Sequence, residues 1–175
     1  TTFRRADFER IGGFDTAMAQ SEDFDLWVRL MELGGRAGYI DTVLGEYRVR
    51  PNSASAHAAR MLLGNIRVYE KARAALPADA PEQELLTRLL QQSQQALDFE
   101  YAVDRVVEGD IQRGLSELRR VKALVSGPVW TLSFALWRVF PSLAGPMLAW
   151  RRRAHSRGAG SADMSLIASL SALWA

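Results

Sequence analysis

The stretch that most strongly indicates how this chain folds is SEDFDLWVRL at residues 21–30, an acidic cluster that runs into an apolar pattern. Phe24 and Trp27 belong to a set of apolar residues at helical spacing, which predicts a helix with one buried face. Ser21 stands just before this pattern. It is the predicted N-cap, because its hydroxyl can accept a hydrogen bond from an unpaired N–H of the first turn. The glycines at 34–35 are expected to end the helix.

Two carboxylates, Glu22 and Asp23, fall in the first turn of this predicted helix. The helix dipole favours negative charge there, so a carboxylate stays ionised and can accept a proton or meet a cation. Acidic residues at helix starts also commonly serve only as caps. The stretch alone leaves both interpretations open.

The segments on either side carry further patterns. Upstream, FRRADFERIGGFD at residues 3–15 predicts a short helix over residues 6–11 that ends at two glycines. Glycines permit positive φ and allow a backbone to approach a ligand closely. Downstream, residues 37–40 and 44–50 are the predicted strands, the second because polar and apolar residues alternate.

Arg48 and Arg50 lie on the same face of the second predicted strand, since side chains alternate with a period of two. Two guanidinium groups at this spacing offer forked donors that match phosphate oxygens. The alternative is that they pair with Glu46 and solvent, as charges on a strand edge often do.

The motif order F-R-R, G-G-F-D, E-D-F-D-L-W-V-R-L and L-x-x-Y-R resembles the C-terminal half of the catalytic domain of inverting, GT-A-fold family 2 glycosyltransferases. The resemblance covers about residues 1–56. It implies an α/β fold class: a remnant consisting of the C-terminal half of a GT-A Rossmann-like domain, followed by a mainly α-helical extension.

The resemblance also implies the roles of individual residues. Asp23 would be the general base and Glu22 would orient it, while the Gly-Gly-Phe-Asp loop would lie beside the acceptor. Phe14 would either pack under that loop or stack on a sugar face. Asp25, Trp27 and Arg29 are also expected to hold the helix in place. The candidate site residues are catalytic Asp23 and Glu22, acceptor-binding Gly13, Phe14 and Trp27, and diphosphate-binding Arg48 and Arg50.

A divalent metal, Mg or Mn, is expected for the full-length enzyme and would be bound mainly by residues outside this chain. Asp23 and Asp25 have Asp-x-Asp spacing, but they open a helix instead of following a strand, so no metal ligand is assigned here. Arg50 stands where the family usually has a histidine, and a guanidinium cannot ligate a metal. The chain is expected to lack the nucleotide-binding half and to be inactive alone.

Composition limits the partners. The chain has 175 residues, no cysteine and a formal net charge of +2, so disulfides and thiolate metal sites are excluded and nucleic acid is not an expected partner. The resemblance implies a nucleotide-sugar donor and a sugar or lipid-linked acceptor, as in the synthesis of cell-envelope polysaccharide. The expected location is the cytoplasm, with the inner face of the membrane as a candidate contact.

The rest of the sequence predicts helices. Residues 57–126 are interpreted as a helical hairpin extension. Helices are predicted over 57–75, with Leu62, Ile66 and Tyr69 as the apolar stripe, over 82–107, and from Ile111 to Val121. The Gly-Asp link at residues 109–110 predicts that the last two helices form the hairpin. Residues 127–157 contain short apolar helices, near 129–139 and 142–153, that run into a basic segment.

Tryptophan beside arginine in residues 127–157 suits a membrane interface. The alternative is a helix pair that packs on the hairpin. Residues 158–175 are a predicted flexible tail. The second functional hypothesis is a non-catalytic helical interaction module or membrane-surface anchor with a degenerate transferase remnant.

Overall fold

The computed structural model describes residues 1–45, 58–121 and 127–156, with the backbone alone for 154–156. Within these ranges the regular elements are helices and there is no strand. The predicted α/β class with a Rossmann-like remnant is therefore wrong, and the described chain is mainly helical. The helices are α1 (Arg5–Arg10), α2 (Glu22–Glu32), α3 (Ala58–Ala75), α4 (Glu82–Glu108), α5 (Ile111–Arg120), α6 (Pro128–Val139), a 3-10 turn (Pro141–Leu143) and α7 (Ala144–Ser156).

The predicted strand at residues 37–40 is irregular and exposed, and Tyr39 is 89% exposed. A strand is stable only when a neighbouring strand satisfies its N–H and C=O groups. The described residues contain no such neighbour, so residues 37–40 have no strand to pair with. Of the predicted strand at 44–50, residues 46–50 lie outside the described residues.

The chain divides into two compact units. The first contains residues 1–45 and 58–94, and the second contains residues 95–121 and 127–156. The predicted domain limits at residues 56, 126 and 157 all lie outside the described residues.

In the first unit, α2 packs against α3. Phe24 contacts Tyr69 edge-on, with ring centroids 5.6 Å apart. Gly64 allows a close approach: a Cβ there would lie 2.4 Å from the hydroxyl oxygen of Ser21. Helix α3 was predicted correctly in extent. Its buried positions, however, are Gly64, Val68 and Ala72, while the predicted stripe of Leu62, Ile66 and Tyr69 is half-buried.

The second unit contains the predicted hairpin of α4 and α5, joined through Gly109 and Asp110. Gly109 has φ +106°, a conformation that glycine adopts without strain. Gly114 brings α5 against α4, since a Cβ on it would lie 2.5 Å from a methyl carbon of Val106. Helices α4 and α5 therefore pack closely against each other across the Gly-Asp link.

Helices α6 and α7 pack on this hairpin. Trp137 of α6 and Leu148 of α7 belong to one buried cluster with Phe99 of α4 and Leu118 of α5. The two short helices occur as predicted, near 129–139 and 142–153. No helix in the described ranges is both long and apolar enough to cross a bilayer.

Candidate functional site

Ser21 precedes α2 as predicted, but its side chain does not cap it. Its backbone is left-handed, with φ 56° and ψ 28°, and its side chain makes no hydrogen bond to the first turn. The hydroxyl instead donates to Oδ1 of Asn65 on α3, at 2.9 Å. Ser21 therefore occupies the predicted N-cap position, where its carbonyl accepts a hydrogen bond from the N–H of Asp25 at 2.9 Å, but the predicted hydrogen bond from the first turn to its hydroxyl is wrong. The physical reason is tertiary: the packing of α3 provides the buried Ser21 hydroxyl with a different partner.

Glu22 and Asp23 lie in the first turn of α2, as the sequence predicts, and both are exposed. Oδ1 of Asp23 accepts a hydrogen bond from the N–H of Phe24 at 2.8 Å. Neither carboxylate belongs to an ion pair within the described residues. Both side chains are therefore held at the start of a helix with their charge open to solvent.

Asp25, two residues further on, is in the opposite situation. It is 2% exposed, and its carboxylate accepts a hydrogen bond from Nε of Arg29 at 2.8 Å. Nζ of Lys71 on α3 donates to the other oxygen. A buried carboxylate requires such partners, because an unpaired buried charge is costly. Asp25 therefore serves to join α2 to α3.

Arg29 connects the same carboxylate to the glycine loop. Its Nη1 donates to the carbonyl of Ile11 at 2.9 Å and its Nη2 to the carbonyl of Gly13 at 2.7 Å. Gly12 and Gly13 both have positive φ, near 78° and 76°. The loop after α1 is thus fixed to α2 by one guanidinium fork, which agrees with the structural role expected for Asp25 and Arg29.

Asp15, at the end of the G-G-F-D motif, is held by Lys71 as well, with 2.7 Å between Oδ2 and Nζ. The hydrogen bond from Lys71 and that from the N–H of Ala17 hold the pKa of Asp15 below its ordinary value. Partial burial alone would lower the pKa of Lys71, but the hydrogen bonds to Asp15 and Asp25 outweigh it and raise that pKa. The Lys71 ammonium therefore stays charged and bridges two carboxylates.

Aromatic rings surround the loop. Phe3 lies edge-on to Trp27 and stacks on Phe8, with centroids 5.3 Å and 5.5 Å apart. Phe8 in turn contacts Phe14 edge-on, at 5.5 Å. Phe14 is 48% exposed, so its ring is in contact with Phe8 and is also open to solvent. Trp27 is half-buried and contacts Phe3, as expected of a residue that holds the helix.

The structure brings together only some of the candidate residues. Gly13 is joined to α2 through Arg29, while Glu22 and Asp23 start the same helix. The predicted diphosphate-binding residues, Arg48 and Arg50, lie outside the described residues.

The described residues contain no group of three or more histidine, aspartate or glutamate side chains able to hold a metal. Near the glycine loop, Asp15 and Asp25 converge, and Lys71 already occupies the position between them. A divalent ion does not fit this pair, because an ammonium fills the space and neutralises the charge. No role for a metal is derived from these residues.

Sequence reasoning missed Lys71 and Asn65, the two polar residues through which α3 holds α2. The Lys71 side chain is 40% exposed, so the sequence does not mark it as a lysine that needs a carboxylate partner. The sequence also does not predict that Lys71 pairs with Asp25, because the two residues are 46 positions apart.

The chain was compared with protein-family models, with curated proteins and with solved structures, and none of these comparisons found a match.

Proposed function

We propose that residues 1–45 provide the acceptor-side catalytic groups of an inverting glycosyltransferase, which moves a sugar from a nucleotide-sugar donor to a hydroxyl group. The observation that carries the proposal is the contrast between neighbouring carboxylates. Asp15 and Asp25 have structural partners that account for their presence, whereas Asp23 is exposed and has no ion pair within the described residues.

In this proposal Asp23 is the general base. The acceptor hydroxyl oxygen attacks the anomeric carbon of the sugar while its proton passes to the Asp23 carboxylate. The bond from that carbon to the nucleoside diphosphate breaks on the opposite face, which inverts the configuration. The position of Asp23 in the first turn of α2 supports the role, since the exposed carboxylate is open to an incoming hydroxyl group. Glu22 stands beside it and orients it.

The glycine loop provides the acceptor-binding surface. The Arg29 fork fixes the carbonyls of Ile11 and Gly13, so the loop is held in place before a substrate binds. Phe14 follows directly and presents its exposed ring to the acceptor sugar, while Phe8 supports the ring from behind. Arg48 and Arg50 are assigned to the departing diphosphate by the resemblance, and the rest of donor binding is assigned to residues outside this chain.

The experiment uses the full-length protein that contains this chain, incubated with a panel of UDP-, GDP- and dTDP-sugars. Release of nucleoside diphosphate is measured with and without added acceptor sugars. Asp23→Asn should lower the transfer rate by about 10²–10⁴-fold, as loss of a general base does. Nucleotide-sugar affinity and folding should be unchanged.

The matched control is Glu84→Gln. Glu84 is also an exposed carboxylate in the first turn of a helix of the first unit, here α4, and its loss should leave transfer unchanged. If Asp23→Asn transfers sugar at the wild-type rate, Asp23 is not the general base.

The second candidate is a non-catalytic helical interaction module. The mainly helical character of the described residues, which contain no strand, favours it. Under this hypothesis the full-length protein releases no nucleoside diphosphate from any donor in the panel, and Asp23→Asn changes nothing.

A further inference from the structure

The loop that follows α1 is anchored on both sides of Phe14. On one side, Nη2 of Arg29 donates a hydrogen bond to the carbonyl of Gly13 at 2.7 Å. On the other side, Nζ of Lys71 donates to Oδ2 of Asp15 at 2.7 Å. Gly13 and Asp15 are the direct neighbours of Phe14 in the chain. The two contacts therefore fix the backbone that carries the Phe14 ring.

Both anchors meet at one buried carboxylate. Oδ2 of Asp25 accepts a hydrogen bond from Nε of Arg29 at 2.8 Å, and Oδ1 accepts one from Nζ of Lys71. Asp25 is 2% exposed, so a cation that moved away would leave a buried charge without one of its partners, which is costly. The carboxylate of Asp25 thus holds both cations in the positions from which they reach the loop.

Asp15 also organises the chain that follows Phe14. Its Oδ1 accepts a hydrogen bond from the N–H of Ala17 at 2.9 Å, and its carbonyl accepts one from the N–H of Met18 at 3.0 Å. An aspartate that bonds the backbone two residues on forms a turn of defined shape. Lys71 therefore binds the first residue of a hydrogen-bonded turn, and fixing Asp15 fixes the segment as far as Met18.

The contact between Lys71 and Asp15 is not needed to join α2 to α3. Lys71 already joins these helices through Asp25, and the hydrogen bond from Ser21 to Asn65 joins them at a second point. Asp15 belongs to neither helix. The contact with Asp15 therefore acts on the loop, in addition to the structural role of Lys71 described above.

We infer that Lys71 is a positioning residue of the acceptor site: through Asp15 it fixes Phe14, whose ring binds the acceptor sugar. The inference rests on the proposed function, because it concerns the acceptor of that reaction. Phe14 is 48% exposed, so the rest of the fold restrains its ring only in part. Without the contact from Lys71, the loop has to be ordered when the acceptor binds, and this ordering lowers the affinity.

The test is steady-state transfer by the full-length protein. It uses the fastest donor among the UDP-, GDP- and dTDP-sugars, with p-nitrophenyl glycosides as acceptors. Lys71→Met should raise the acceptor KM about two- to tenfold, which is the effect of having to order one side chain and its loop on binding. The kcat and the donor KM should be unchanged, because the lost interaction concerns acceptor binding alone.

The matched control is Arg73→Met. Arg73 is also an exposed cation of α3, and it has no ion pair within the described residues. Its loss removes the same charge from the same helix, so the comparison separates the contact with Asp15 from a general effect of charge. Both KM values should be those of the wild type in Arg73→Met.

Two further variants test the route through Asp15 and Phe14. Asp15→Asn keeps both contacts of Asp25 and should raise the acceptor KM as Lys71→Met does, and it serves as the test if Lys71→Met does not fold. Phe14→Ala should itself raise the acceptor KM. Adding Lys71→Met to Phe14→Ala should have no further effect, because the side chain that Lys71 positions is then absent.

An acceptor KM at the wild-type value in both Lys71→Met and Asp15→Asn would overturn the inference. An equal rise from Lys71→Met with and without Phe14 would overturn it as well, since Lys71 would then act by another route. A donor KM that rises as much as the acceptor KM would also count against it, because the effect would then be a general loss of structure.

Failure of the proposed function would look different, since the wild-type protein would then transfer no sugar to any acceptor. In that case hydrogen exchange at the amides of Ala17 and Met18 tests the anchor by itself. Lys71→Met should lower the protection of these two amides, and Arg73→Met should not. Unchanged protection in Lys71→Met would show that Lys71 does not hold the loop.

Discussion

Two aspartates of α2, Asp23 and Asp25, should respond in opposite ways to the same substitution. Both can be changed to asparagine, which keeps the shape of the side chain and removes its charge. Asp25 lies between Arg29 and Lys71 and is buried, whereas Asp23 is exposed at the start of the helix. We expect Asp25→Asn to destabilise the first unit and Asp23→Asn to leave it nearly unchanged.

The magnitude follows from the partners that remain. Breaking a buried ion pair costs about 3–5 kcal/mol when the remaining charge stays buried. Here the side chains of Arg29 and Lys71 are 21% and 40% exposed, so water recovers part of that cost. The asparagine oxygen also still accepts one hydrogen bond. We expect a loss of about 2–3 kcal/mol for Asp25→Asn. Asp23→Asn loses only a helix-dipole interaction of about 0.3–1 kcal/mol.

Hydrogen exchange is the suitable assay, because the chain divides into two units and a single unfolding curve would mix them. The amides of α2 and α3 report on the contact directly. Protection in Asp25→Asn should fall by about 30- to 150-fold in these helices, which is the same energy expressed as a ratio. In Asp23→Asn it should stay within about fivefold of wild type.

Equal protection of α2 and α3 from exchange in the two variants would refute this prediction. It would mean that the ion pairs of Asp25 stabilise the first unit no more than the exposed charge of Asp23 does. A loss of protection in Asp25→Asn that is confined to α6 and α7 would also refute it, because these helices belong to the second unit. A Lys71→Met variant provides an internal check: combined with Asp25→Asn it should cost less than the sum of the two single changes, since both remove the same contact.

Two further predictions concern pH and packing. The pKa of Asp15 in the folded protein is below its ordinary value of 3.8, because of its hydrogen bonds with Lys71 and Ala17. The folded state therefore binds a proton at Asp15 less tightly than the unfolded state does. The Asp15–Lys71 pair stabilises the folded state at pH values above 3.8, and this contribution is lost as the pH falls through the lowered pKa. The urea concentration at the unfolding midpoint should fall at acid pH, and it should fall less in Asp15→Asn than in wild type. The same pH dependence in both proteins would contradict this prediction. Gly114→Ala should destabilise the hairpin by about 1–2 kcal/mol, because the new Cβ would press on Val106 while the gain in helix propensity offsets part of the strain. Ser116→Ala, exposed on the same helix, is the control in thermal unfolding, and a Gly114→Ala variant as stable as wild type would argue against the close approach.

The sequence by itself determined most of the helices. Apolar spacing located α2 through α7 to within a few residues, and the Gly-Asp link between α4 and α5 predicted their hairpin. It also placed Glu22 and Asp23 in a first turn. These features depend on neighbours a few residues apart, and such local periodicity is what a sequence displays directly.

Tertiary structure alone decided the rest. Residues 37–40 are a predicted strand, but a strand needs a partner and the described residues supply none. Ser21 should cap α2 by local rules, yet Asn65 takes its hydroxyl. Arg29, four residues along the chain, is a local partner that the sequence offers to Asp25, but the contact with Lys71 spans 46 residues and forms only when α3 packs on α2. Contacts between distant segments decide which groups are buried, and burial decides whether a charge holds the fold together or remains available for chemistry.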